Sequence, residues 1–143
     1  MRQLLIILIL TTITINKNVG AEVIFYFFSG QPNKNVAENA EYIQKKCGIK
    51  VIGVTRGIRE GERLIDTIKR LNRYQKDGFE IWIDPTLYDM FDIKVYPCFV
   101  LVPETFAYSR VCVGEEEIKA KKICGNLNIK YVIRRFQACK KAN

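Results

Sequence analysis

The feature that most constrains the fold is a set of short apolar runs, each followed by a helical pattern. Val23-Ile24-Phe25-Tyr26-Phe27-Phe28 has no alternating polar face, so it reads as a strand covered on both sides. Ser29-Gly30-Gln31-Pro32-Asn33 breaks it. Val36, Ala40, Ile43 and Cys47 then recur at helical spacing, and Gly48 closes that helix. Ile49 to Val54 predicts a second strand, turned by Thr55-Arg56-Gly57. Glu62 to Gln75 predicts a helix with Leu64, Ile65, Ile68 and Leu71 facing inward, and Asp77-Gly78 ends it. Phe79 to Ile83 predicts a third strand. Asp84 before Pro85 predicts an N-cap for a short helix to Phe91 carrying Leu87, Met90 and Phe91. Ile93 to Val102 reads as a strand entered through Pro97. Ala107–Val113 and Ile118–Cys124 supply further antiparallel strands, and Ile129, Val132, Ile133 and Phe136 stripe a last helix. Such alternation, ending in strands and a closing helix, implies an α/β sandwich: a mixed central sheet flanked by helices.

The first 21 residues stand apart from this pattern. Met1-Arg2-Gln3 is a basic start, and Leu4 to Ile15 is apolar but for Thr. Val19-Gly20-Ala21 has the small-x-small form of a cleavage site. We read residues 1–21 as a secretory signal and 22–143 as the domain. The apolar run is shorter than a bilayer span; an uncleaved anchor is the alternative. Loss of Arg2 and Lys17 would lower the net charge from +8 to +6. The remaining positives are scattered, and no aromatic RNA-binding motif accompanies them, which argues against nucleic acid as a partner. Contact with an anionic membrane surface or an acidic partner stays open.

The chain contains no histidine. That excludes Ser-His-Asp and Cys-His catalysis and His-ligated metal sites. Five cysteines allow two bridges and a leftover thiol in an oxidising compartment. Our first choice is Cys112–Cys124. Cys47 and Cys139 both end helical stripes and form the second candidate pair, with plain core packing as the alternative. No close paired spacing supports a four-cysteine metal site, and the residues imply no cofactor.

The run Ile83 to Val100 resembles the second half of thioredoxin-like domains. An acidic residue ends a strand, a short helix follows, and a proline heads the next strand. In that family the proline is cis, so the resemblance implies a cis Tyr96–Pro97 bond. The match is closer to the F-type conjugal-transfer pilus-assembly proteins called TrbC. Its pieces occur in order: Phe28-Ser29 with Pro32, Arg56-Gly57, Ile83-Asp84-Pro85, Phe91-Asp92-Ile93, Pro97-Cys98-Phe99-Val100, Gly125-Asn126-Leu127 and Tyr131-Val132-Ile133. They span residues 23–136. The resemblance implies a periplasmic assembly factor for a conjugative pilus or type IV secretion system, acting on other envelope proteins rather than on a small-molecule substrate. Cys98 departs from the pattern, standing where a small residue is typical. The segment 103–117 is also longer than the family core needs.

Thioredoxin-type chemistry needs a low-pKa thiolate at a helix N-terminus and a second thiol nearby. Here the corresponding turn, Ser29-Gly30-Gln31-Pro32, has no cysteine, and the chain has no C-x-x-C. The expected binding residues are Ser29, Pro32, Arg56, Tyr96, Pro97 and Cys98. For Ser29 and Pro32 the structural reading is a helix-entry turn; for Arg56, an exposed turn residue; for Cys98, a buried inert thiol. A thiol-disulfide protein working through Cys98 is the enzymatic alternative.

Overall fold

A computed structural model describes residues 21–29, 34–58, 60–75, 79–109 and 120–136. Its strands are β1 (Glu22–Phe27), β2 (Lys50–Thr55), β3 (Glu80–Ile83), β4 (Cys98–Pro103) and β5 (Lys121–Cys124). The helices are α1 (Lys34–Cys47), α2 (Leu64–Asn72), α3 (Pro85–Met90), α4 (Glu104–Ser109) and α5 (Ile129–Phe136). The sheet order is β3-β2-β1-β4-β5. β1, β2 and β3 run parallel, while β4 pairs antiparallel with both β1 and β5. This is the mixed, helix-flanked sheet that the strand–helix alternation predicts.

The apolar run of β1 is explained by its central place. Ile24, Tyr26 and Phe28 join one core with Val36, Ala40 and Ile43 of α1 and Val132 and Phe136 of α5. Val23, Phe25 and Phe27 join the opposite core, with Leu87 and Tyr88 of α3 and Ala107 of α4. Successive side chains point to opposite faces, so both parities must be apolar. Gly53 of β2 is demanded by a close approach. A Cβ there would lie 2.8 Å from Phe79 Cζ and 3.0 Å from Phe28 Cε1. Gly48 closes α1 as predicted, at φ 64°, with its N–H donating to Gln44 O at 3.0 Å.

Two expectations are corrected. α2 does not bury Leu64, Ile65 and Ile68, which are 55%, 50% and 40% exposed; Thr67 and Leu71 face the core instead. A bidentate ion pair flanks the buried side of the helix. Arg70 Nε and Nη2 donate to Glu62 at 3.0 and 2.9 Å, with both side chains mostly shielded from solvent. Ala107–Ser109, expected in a strand, lie in α4. Pro103 ends the β4 ladder, and Glu104 opens the helix with a favourable charge in its first turn. The rest of that expected strand, 110–113, lies outside the described residues. So does the start of the other, Ile118–Cys124, whose described part forms β5 from Lys121.

Candidate functional site

The site is a crevice where β1 and β2 end and β4 begins. Open α/β sheets bind ligands outside the carboxyl ends of their strands. Ser29, exposed, leaves β1; Arg56, also exposed, leaves β2. Tyr96 and Pro97, both half-buried, lead into β4, and their peptide bond is cis. Pro97 O accepts from Gly125 N at 2.8 Å, which ties the head of β4 to the turn before α5. Gly125 sits at φ 118°, a conformation that favours glycine.

Two clefts share Phe28, Ser29 and Tyr96 as a common wall. The first, about 270 Å³, lies between that wall, Pro97 and the first turns of α1. Tyr26, Asn35, Asn39 and Asn126 bring polar groups to it, and Phe99 and Leu127 bring apolar surface. Its described lining is uncharged. Asn39 Nδ2 reaches the Tyr26 hydroxyl at 3.5 Å, and burial pushes the Tyr26 pKa up despite that contact, so the phenol stays neutral.

The second cleft, about 260 Å³, is lined by Thr55, Arg56, Gly57, Ile58 and Tyr88 beyond the shared wall. Tyr88 is its rigid floor. The side chain is 1% exposed, and its hydroxyl donates toward Val54 O at 2.7 Å and Phe28 O at 3.0 Å. Burial, then the neighbouring Tyr96, pushes the Tyr88 pKa well above that of a free phenol; Arg56 and backbone hydrogen bonding oppose this only in part. The Arg56 guanidinium lies over the Tyr88 ring at 4.8 Å, and the Tyr96 ring stands 6.0 Å from it on another side. Arg56 also faces Asp89, at 3.8 Å and with both side chains exposed. A pair that long and wet contributes little.

The structure thus brings Ser29, Arg56, Tyr96 and Pro97 to one crevice. Pro32 lies outside the described residues. Cys98 does not join the cleft surface: it is fully buried in the core on the α3 side of the sheet, opposite Phe99. It is also not a free thiol. Cys98 is disulfide-bonded to Cys124, its directly opposed partner across β4 and β5. This corrects the expected Cys112–Cys124 pairing, because strand register rather than loop tethering selects the partner. Cys112 itself, and Cys139, lie outside the described residues. Cys47 is disulfide-bonded as well; the expected Cys47–Cys139 bridge falls outside what is described. No group of three metal-ligating side chains occurs among the described residues.

Sequence reasoning passed over Tyr88, choosing Leu87, Met90 and Phe91 as the apolar side of α3. Met90 is instead 55% exposed. The available signal was an aromatic residue three positions before Phe91, and residues three apart share a helix face. Asp84 caps that helix as read, its Oδ1 accepting from Thr86 N at 3.0 Å and Thr86 Oγ1 at 2.6 Å. It is also buried.

A cis proline heading a strand at such a crevice, on this sheet order, directs comparison with known proteins. The model of the type-F conjugative transfer system pilin assembly protein family, TrbC, matches residues 25–136. The chain belongs to this family. No curated protein matches it in sequence. Among solved structures it is similar to StoA from Bacillus subtilis, at 17% identity and TM-score 0.50, covering 80% of this chain and 81% of that one. A thioredoxin-like protein in its oxidised form matches at 12% and 0.53, over 82% and 76%. A thioredoxin-like protein from Porphyromonas gingivalis matches at 15% and 0.53, over 88% and 80%. These likenesses establish a thioredoxin-like fold. No helix among the described residues of this pilin assembly family member is long and apolar enough to cross a membrane.

Proposed function

We propose that the protein is a non-enzymatic, periplasmic assembly factor of a conjugative pilus, exported by residues 1–21 and acting through residues 22–143. Its partners are other envelope proteins of the transfer system, gripped at the crevice around Ser29, Tyr96 and Pro97. One observation supports this above others: both clefts offer peptide-sized space walled by aromatic rings, the first adds amide groups, and the described lining of neither holds a thiol. Membership of a pilin assembly family supports the same reading. The test is a cross-linked pull-down of the exported, tagged chain from its native envelope without reductant. Recovery of transfer-system subunits by the wild type, lost in a folded Tyr96→Ala variant, is expected. Equal recovery by that variant rejects the crevice as the grip. N-terminal sequencing of the exported chain checks the signal: a start at Glu22 is expected, and an intact Met1 refutes cleavage.

The Cys98–Cys124 bridge beside the cis proline favours one second reading, a thiol-disulfide protein. It requires insulin reduction that disappears in Cys98→Ser. Our reading expects none from the wild type.

A further inference from the structure

Resting on the crevice as the partner grip, we propose what it grips: an extended peptide segment carrying a side-chain carboxylate beside an uncharged apolar residue. The carboxylate is taken by Arg56, and the apolar side chain enters the cleft between Tyr96, Pro97 and α1. The argument is charge complementarity within a preformed shape. Arg56 is the one ionised side chain in the described lining of either cleft. Its planar head is set on Tyr88, which is itself pinned by two buried carbonyls, so little freedom is lost when an anion arrives. The contact with Asp89 is long and solvated, and a carboxylate in the cleft can replace it. Ser29 and Thr55 line the same cleft.

The other cleft presents a different chemistry. Its walls are Phe28, Tyr96 and Phe99, with Asn35, Asn39 and Asn126 around them. Amides of this kind satisfy a peptide backbone on either side of an inserted apolar side chain without favouring either charge. Because Tyr96 lines both clefts, side chains two residues apart in one extended segment can enter both. In a strand, residues i and i+2 lie on one side at roughly 7 Å.

The experiment uses the full chain, purified from the periplasm, and fluorescence anisotropy at low and at physiological salt. The probes are labelled, end-blocked peptides with Phe and Glu at positions i and i+2, their Gln counterparts, and the Gln peptide with a free C-terminal carboxylate. The Glu peptide is expected to bind roughly fivefold to tenfold tighter than the Gln peptide. Arg56→Gln should abolish that preference and Arg56→Lys should weaken it. Lys130→Gln, removing an equal charge from α5, should leave it intact. Equal binding of the Glu and Gln peptides overturns the proposal, as do absence of binding and a preference that Arg56→Gln leaves in place. A gain confined to the free C-terminus also overturns it, assigning Arg56 to chain ends instead. The envelope pull-down repeated with Arg56→Gln separates the two claims. Full recovery of transfer subunits there sinks the carboxylate site while the assembly role stands.

Discussion

At the residue scale, Tyr88 organises the crevice more than any residue that reaches into it. Its ring carries Arg56, stands beside Tyr96, and is fixed through a hydroxyl between Val54 O and Phe28 O. Removing that hydroxyl takes away the one proton shared between two carbonyls, of which Val54 O still accepts from Phe28 N at 3.4 Å, a loss of about 1–3 kcal/mol. Tyr88→Phe is therefore expected to lower the urea midpoint by that measure without changing the slope of the transition. A change within error would show that the carbonyls find other donors. Tyr88 escaped the sequence reading because a tyrosine has one apolar ring and one polar tip. Which of the two decides its place depends on acceptors supplied by Phe28, just past β1, and by Val54 of β2, 60 and 34 residues away.

At the scale of elements, α2 shows that a hydrophobic stripe in the sequence need not be the side that is buried. Leu64, Ile65, Ile68 and Leu71 look like one face, yet only Leu71 is buried. Leu71→Ala should cost about 2–5 kcal/mol. Gln at 64, 65 or 68 should each stay within about 0.5 kcal/mol of the wild type, as exposed sites do. Thermal or urea unfolding of the four variants decides it, and comparable losses at all four would restore the inward stripe. A second element-level contact joins β2 to β3, where Lys50 Nζ lies 2.6 Å from Glu80, with side chains 41% and 38% exposed. Lys50 holds the Glu80 carboxyl below 4.5, and Glu80 first, then Tyr108, holds the Lys50 ammonium above 10.5. The carboxylate's contribution is complete above about pH 4.5 and fades as pH falls through the depressed folded value. The ammonium's is complete below 10.5 and fades as pH rises through the raised one. Wild type should exceed Glu80→Gln by less than about 1 kcal/mol between those limits, because the pair is well solvated, and the gap should narrow in salt. A gap that persists unchanged at pH 2 would contradict the assignment.

For the whole molecule, the Cys98–Cys124 bridge couples the strand behind the cis proline to the sheet edge. It closes a loop with a sequence separation of 26, which chain-entropy arguments value at about 3.5 kcal/mol. Cys98→Ser/Cys124→Ser should lose about that much in chemical denaturation while keeping a folded far-UV spectrum, and no loss would mean the bridge does not constrain the unfolded chain. Local chemistry was legible in the sequence wherever neighbours along the chain settle the outcome. The both-sided β1 run, the Asp84-Pro85 cap, Gly48 at the end of α1 and the missing cysteine in the Ser29 turn are of that kind. The Arg56-Gly57 turn and the proline at 97 also stood out as motifs, although only folding sets them around one crevice. The disulfide partner, the roll of α2 and the burial of Tyr88 could not be read this way. Each depends on strand register or on a partner many residues distant, and a one-dimensional pattern holds no distances across a sheet. Sequence by itself determined the alternation of strands and helices around a buried β1 as far as the head of β4, but not the helix α4 that follows Pro103. Tertiary structure decided which sulfur meets which and which side of α2 faces water. It also decided what stands beneath Arg56, because those outcomes are settled by contacts that exist only once the sheet has formed.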